Sequence, residues 1–357
     1  MPRARGTAVV IAVLAAVLAI AALVLQSALA LPAGQAGSAG RSPLTARGGS
    51  DGPGRPSDRD TVAMGGPSSW LRTVGGPQLA SRGIVVHYPA RGQRLLPSVP
   101  ASAYVVADAN TGQVLAAKDP HGDFPPASTL KVLTAITLIP LLPPDARVVA
   151  TRQATSVQPN VVGLVQGQRY QVSSLFKALL LISANDAAVA LAQAAGSYHR
   201  AITLMNAEAH WLQAYDVVAK DPNGLPAAHQ HVSAYDEALI ARRALAMPAF
   251  IKYDSALTAR FRLKRRHWVT LVNQNTLLMT YRGGIGGKIG WTERAGATYI
   301  GMASRHGVTL IVTILHASPL TEITSGENLL NWGFAMDRKV RPVGILVPPL
   351  PGGPPGQ

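Results

Sequence analysis

The order of the patterns along the chain constrains its fold most strongly. Short apolar runs that read as strands stand at both ends of the patterned region, and helical periodicity fills the middle. AYVVAD (103–108) and QVLAAK (113–118) flank Asn110-Thr111-Gly112, β-type runs around turn residues that predict a hairpin. Helical patterns follow over 128–139, 172–183, 186–195, 199–214 and 233–246, the last opening with Ser233 and Asp236 at capping-box spacing. Strand patterns return at 298–304 and 308–316, joined through Arg305-His306-Gly307, before a final helix over 322–336. The economical arrangement is α/β in the broad sense (α+β): one antiparallel sheet from the first and last thirds, covered by helices.

The flanks are of another kind. Arg3 and Arg5 precede an uncharged apolar run over 8–25, and Ser27-Ala28-Leu29-Ala30 follows. Residues 1–31 therefore read as a signal peptide or an N-terminal membrane anchor. The run reaches the length of a spanning helix, so cleavage after Ala30 and retention both stay open. Arginine on the N-terminal side sends the remainder outward, to an exported location in the cell envelope. Residues 32–98 read as a flexible Gly/Pro/Ser-rich linker with a weak strand pattern at 82–89. Residues 99–337 form the expected folded domain, and 338–357 a Pro/Gly-rich tail. The net charge of +15 calls for a polyanionic neighbour. Export removes nucleic acid from the expected partners and leaves an anionic membrane surface or wall. With no Cys, thiol catalysis, Cys-ligated zinc, iron–sulfur clusters and disulfides are excluded. There is no Gly-rich phosphate loop and no H-E-x-x-H metal motif, so no cofactor and no metal are expected.

Three constellations carry chemistry. Ser128 and Lys131 stand three apart in PPASTLKVL, on one face of a predicted helix. A serine hydroxyl needs a base to become a nucleophile, and a desolvated lysine beside another cation can be that base. Ser183 and Asn185 follow the apolar run LLLI, putting a hydroxyl and an amide at a helix junction. Lys288 lies in the run GGIGGKIGWT, where glycines let substrate approach the backbone and the cation suits an anionic substrate. Each alone reads equally as a cap, a helix end or a turn. As an ordered set, S-x-x-K, then S-x-N, then K-x-G is the pattern of penicillin-recognising serine enzymes.

On these motifs residues 103–336 resemble the serine D-Ala-D-Ala carboxypeptidases, the low-molecular-mass penicillin-binding proteins, in the short actinobacterial form without a second β-domain. AYVVADANTGQVLAAKDP, the Gly163…Gly167…Tyr170 approach to LLLISANDAA, DPNGL, SAYDEALIARRAL and NQNTLL support the likeness. The resemblance implies the five-stranded β-lactamase/transpeptidase-like fold. It implies Ser128 as nucleophile, Lys131 as general base, Ser183 as proton relay and Asn185 as positioning amide. Lys288, with Gly290, Trp291 and Thr292, would bind substrate, and the amides of Ser128 and Trp291 would form the oxyanion hole. The implied substrate is the terminal D-Ala-D-Ala of peptidoglycan stem peptides, with β-lactams as covalent inhibitors and no cofactor. One position departs: Ile289 stands where the family's third motif has Thr or Ser. The missing hydrogen bond to a charged group is worth about 1.5–3 kcal/mol, or about 10–100-fold in kcat/KM. Two rivals follow, a wall-binding pseudoenzyme resting on Ile289 and a β-lactamase. The latter needs a Glu in an E-x-x-L-N string between the second and third motifs, where only Glu208 and Glu237 occur. The literal string, Glu327 to Asn331, comes after Lys288 and reads as coincidence. His229 and His231 read as a loop pair, and the basic run Arg260, Arg262, Lys264, Arg265 and Arg266 as a solvated hairpin.

Overall fold

The computed structural model describes residues 73–89, 91, 94–354 and 356. The export segment expected over 1–31, and the linker before residue 73, lie outside them. In chain order the elements are β1 (Ile84–Val86), β2 (Ala101–Asp108), β3 (Gln113–Lys118), α1 (Leu130–Leu138), β4 (Arg147–Val149), α2 (Arg152–Thr155), β5 (Arg169–Gln171), α3 (Val172–Leu181) and α4 (Asn185–Ala194). Then come α5 (Tyr198–Trp211), α6 (Ala234–Leu245), α7 (Pro248–Asp254), β6 (Thr258–Lys264), β7 (His267–Val272), α8 (Leu277–Thr280), β8 (Gly284–Thr292), β9 (Gly296–Arg305), β10 (Val308–Ala317), α9 (Glu322–Met336) and β11 (Gly344–Ile345).

Strand alternation builds two cores from one sheet. On β2, Ala103, Val105 and Ala107 face the large helical cluster, while Tyr104 and Val106 face the layer formed by α9. The sheet order is β1-β3-β2-β10-β9-β8, antiparallel throughout, with β11 also on β3. The first and last thirds thus pair through β2 and β10, as their patterns predict. The five-stranded sheet implied by the resemblance is its centre, and β1 and β11 extend it at the β3 edge. On the helical side α1 is the innermost element. All nine of its residues are buried, because LKVLTAITL is apolar around its circumference apart from Lys131 and two threonines. Thr137 returns its hydroxyl to the Leu133 carbonyl at 2.8 Å, and Thr134 donates to the Pro222 carbonyl at 2.8 Å. Each fully buried aliphatic side chain here contributes about 1.5–3 kcal/mol. Among the described residues no helix is long and apolar enough to cross a membrane.

Two flanking segments differ from expectation. Within the stretch read as linker, Leu79 is fully buried and β1 pairs with β3. His121 bridges Asp216 (Nδ1 to Oδ2, 2.6 Å) and the Val74 carbonyl (Nε2, 3.1 Å). A single apolar residue among Gly and Pro, and a three-residue strand, are too short to show periodicity. Part of the Pro/Gly-rich tail is likewise fastened: Trp211 Nε1 donates to the Leu350 carbonyl and Leu350 N to that of Trp211, both at 2.8 Å. The basic run forms the exposed hairpin β6–β7, with Arg260 and Arg262 over the Trp268 ring.

Candidate active site

The turn carrying Ser128 is built on strain held from several sides. Residues Ala127–Thr129 form a short 3-10 turn that runs into α1, and Ala127 has φ +48°, a left-handed conformation rare for a residue with a side chain. Such strain persists only where neighbours over-determine it. Thr129 Oγ1 lies 2.6 Å from the Pro126 carbonyl, and Thr298 Oγ1 of β9 donates to the same oxygen at 2.9 Å. Gly224, at φ +80°, presses on the Ala127 carbonyl so closely that a Cβ would stand 1.6 Å from its oxygen. Gly290 of β8 lies against the Ser128 amide, where a Cβ would come within 2.7 Å of the nitrogen.

This turn presents Ser128 Oγ 2.8 Å from Lys131 Nζ. Lys131 is completely buried and donates to the Asn223 carbonyl at 2.6 Å. Burial, reinforced by the charge of Lys288, pushes its pKa well below the usual lysine value, against a smaller opposing pull from Asp221. A neutral amine with a free lone pair beside a hydroxyl is what proton abstraction requires. The loop carrying Asn223 is fixed by Asp221, whose Oδ1 accepts from the amides of Asn223 (3.0 Å) and Gly224 (2.7 Å).

Ser183 and Asn185 occupy the junction between α3 and α4, and α1 packs on both helices. Ser183 is left-handed (φ +61°), and its buried hydroxyl has no protein partner among the described residues. Asn185 Nδ2 donates to the Gln158 carbonyl at 2.8 Å, and its buried Oδ1 has no partner among the described residues. Asp186, next in sequence, accepts from the amides of Val162, Gly163 and Leu164 and pins the preceding loop to this junction.

Along β8, Lys288 and Gly290 share the face turned to Ser128 and Lys131, and Ile289 packs with the α9-side cluster. Lys288 Nζ donates to the Ile289 carbonyl at 2.7 Å. Burial lowers Lys288 to about 7, against the favourable charge of Asp254. Trp291 is half exposed, and Thr292 Oγ1 accepts from Ala295 N at 3.0 Å in the following turn. The glycines around Lys288 turn out to make room for protein rather than only for substrate. A Cβ on Gly286 would strike the Asp254 carboxylate, and one on Gly287 the Ile300 carbonyl.

Residues 91–319 match the model of the peptidase S11 family, described as D-alanyl-D-alanine carboxypeptidase. The chain belongs to this family. It is a serine-type D-Ala-D-Ala carboxypeptidase, a hydrolase of the penicillin-binding class. D-alanyl-D-alanine carboxypeptidase DacB2 of Mycobacterium tuberculosis is 36% identical over 248 residues, 68% of this chain and 85% of that protein. DacD of Escherichia coli is 32% identical over 253 residues, and the chain covers 64% of that longer relative. The crystal structure of a D-alanyl-D-alanine carboxypeptidase from Mycobacterium tuberculosis H37Rv superposes with a TM-score of 0.68 at 35% identity, over 74% of this chain and 99% of the other. A mutant of the Streptomyces K15 DD-transpeptidase gives a TM-score of 0.64 at 25% identity, over 67% of this chain and 99% of the other.

Against the family pattern, the E-x-x-L-N string falls within α9, where Glu327 Oε1 accepts from Thr280 Oγ1 at 3.0 Å. That helix covers the sheet face opposite Ser128, so the β-lactamase reading has no support. Asp254 and Glu237 are site residues that the sequence did not disclose as such. Asp254 is fully buried behind Lys288, accepts from Gly287 N at 2.6 Å and is raised to about 7 by burial. Its only trace in the sequence is Gly286, whose missing side chain makes space for it.

Proposed function

We propose that Ser128 is the acylated serine of this carboxypeptidase, acting on the terminal D-Ala-D-Ala of peptidoglycan stem peptides. The observation that carries this is Ser128 Oγ at 2.8 Å from a fully buried Lys131, whose pKa burial and the charge of Lys288 push well below the usual lysine value. Ser128 Oγ attacks the carbonyl between the two D-alanines while its proton passes to Lys131 Nζ. The oxyanion forms against the amides of Ser128 and Trp291, and the close passage of β8 at Gly290 supports that placement. Ser183 gives its hydroxyl proton to the leaving nitrogen and takes in turn the proton held on Lys131, the C–N bond breaks and D-alanine departs. Water then hydrolyses the ester and restores Ser128. Asn185 Oδ1, unpaired in its buried position, suits the substrate amide N–H. Lys288 supplies the positive field for the terminal carboxylate. The Thr292 hydroxyl hydrogen stays free to donate to that carboxylate, in the role the family gives to the residue at position 289. A β-lactam would acylate the same serine by ring opening. We place the enzyme outside the cytoplasmic membrane, held by or released from its N-terminal segment.

Fluorescent penicillin labelling and D-alanine release from a stem pentapeptide test the assignment together. Wild type should label and release D-alanine, and Ser128→Ala should do neither. A wild-type protein that does not label, or an S128A protein that does, refutes it.

A further inference from the structure

Glu237 sits in α6, fully buried, three residues after the helix enters at Ala234. Its Oε1 is hydrogen-bonded to Thr129 Oγ1, directly beside the nucleophile, and its Oε2 has no partner among the described residues. Thr129 Oγ1 is also 2.6 Å from the Pro126 carbonyl. One hydroxyl carries one hydrogen and cannot donate to both oxygens. A carbonyl has no hydrogen to give. The second hydrogen in this chain must therefore come from Glu237.

We propose that Glu237 is a positioning residue for acylation, a neutral carboxyl that donates to Thr129 Oγ1 and so commits the Thr129 hydrogen to the Pro126 carbonyl, locking the turn that aims Ser128. The proposal rests on the assignment of Ser128 given above. The strain at Ala127 explains why a lock is needed, since three contacts (Thr298, Gly224 and the Glu237–Thr129 chain) hold the turn from three elements. The unpaired Oε2 fits the same protonation state: an unpaired neutral carbonyl oxygen is tolerable in a core, whereas an unpaired carboxylate oxygen is far costlier.

Ionisation would reverse the chain. A Glu237 carboxylate can only accept, so Thr129 would turn its hydrogen to Glu237 and release Pro126. Burial raises Glu237 to about 8, with only the Thr129 hydroxyl opposing. The helices packed on α6 bring Lys131 from α1 and Asp254 from α7, while the faces of β2, β9 and β10 turned to α6 carry Ala103, Val105, Ala107, Ile300, Met302 and Ile311 and no charged group. None of these shifts it, nor does Asp236, which turns to Asp216 N.

The experiment is the rate of acylation by a fluorescent penicillin from pH 6 to 10, in wild type, Glu237→Gln and Glu237→Leu. Gln keeps an N–H donor but cannot ionise, and Leu keeps bulk without a donor. E237L should acylate about tenfold or more slowly at pH 7, with E237Q restoring most of that rate. Above about pH 8 the wild-type rate should fall further than that of E237Q. If E237L does not fold, the alkaline difference between wild type and E237Q decides. Identical alkaline limbs in those two proteins, or an E237L rate equal to wild type, overturn the proposal. Failure of wild type to label at any pH would instead overturn the assignment of Ser128.

Discussion

Asp254→Asn is the most informative single change at the Lys288 end of the site. The substitution keeps an oxygen for the Gly287 amide, now 2.6 Å from Oδ2, and keeps the volume that Gly286 makes available. It removes the negative charge, which Asp254, raised to about 7, carries about half the time at pH 7. Asp254 is the sole influence holding Lys288 up against burial, and even so Lys288 lies at about 7. Opposite charges within contact range shift a pKa by about 1–3 units, so the loss should carry Lys288 down by that amount. At pH 7 its charged fraction would fall from about a half to about a tenth at the smaller shift, and to about a thousandth at the larger. A carboxylate would then meet a mostly neutral amine, and a hydrogen bond to a charged partner is worth about 1.5–3 kcal/mol. The expected result is a loss of about 5–100-fold in the second-order acylation rate at pH 7, partly recovered toward pH 5. The limb attributable to Lys288 should move to lower pH. The assay is fluorescent penicillin acylation against pH, with thermal unfolding confirming that D254N is folded. A folded D254N protein with the wild-type rate and an unmoved profile would refute the reasoning.

Other expectations follow from the same geometry. Gly224→Ala should unseat the nucleophile turn, because its Cβ would meet the Ala127 carbonyl oxygen at 1.6 Å and φ is +80°. A loss of at least about 3 kcal/mol, several degrees in Tm, together with lost labelling is expected, and a stable, fully labelled variant would contradict it. Ile289→Thr should leave kcat/KM for D-alanine release within about threefold, because position 289 packs on the α9 side and the Thr292 hydroxyl is free for the carboxylate; a gain of about tenfold or more would show that the hydroxyl is missed. Glu237 also predicts a stability trend. Its pKa rises from 4.5 to about 8 on folding, so its favourable contribution is complete below about 4.5 and is lost as pH rises through about 8. A rise of that size corresponds to about 5 kcal/mol, and urea unfolding of E237Q should show a correspondingly smaller loss between about pH 5 and about pH 9.

Most of the helical boundaries were legible because their periodicity is long and strong. The final helix agrees with its pattern residue for residue, and the others within a few residues. The capping box at Ser233 forms only in part: Ser233 Oγ accepts from Asp236 N at 3.1 Å, but the Asp236 carboxylate turns instead to Asp216 N at 2.7 Å. Such a redirection depends on a loop twenty residues away, which local pattern cannot register.

By itself the sequence marked out the set proposed to carry the chemistry, Ser128, Lys131, Ser183, Asn185 and Lys288, and the strands-outside, helices-between order that fits an antiparallel sheet. Those properties are local: residue type, spacing and periodicity. The tertiary structure alone decided the electrostatics of the set. The Lys131 pKa is pushed well below the usual lysine value because α1 is buried on every side and Lys288 approaches from β8, far along the chain. Asp254 and Glu237, ordinary acidic residues in the sequence, join the site only because α7 and α6 carry them into a core that withholds water. Desolvation and through-space charge act between residues the fold brings together, and neither leaves a mark on spacing along the chain.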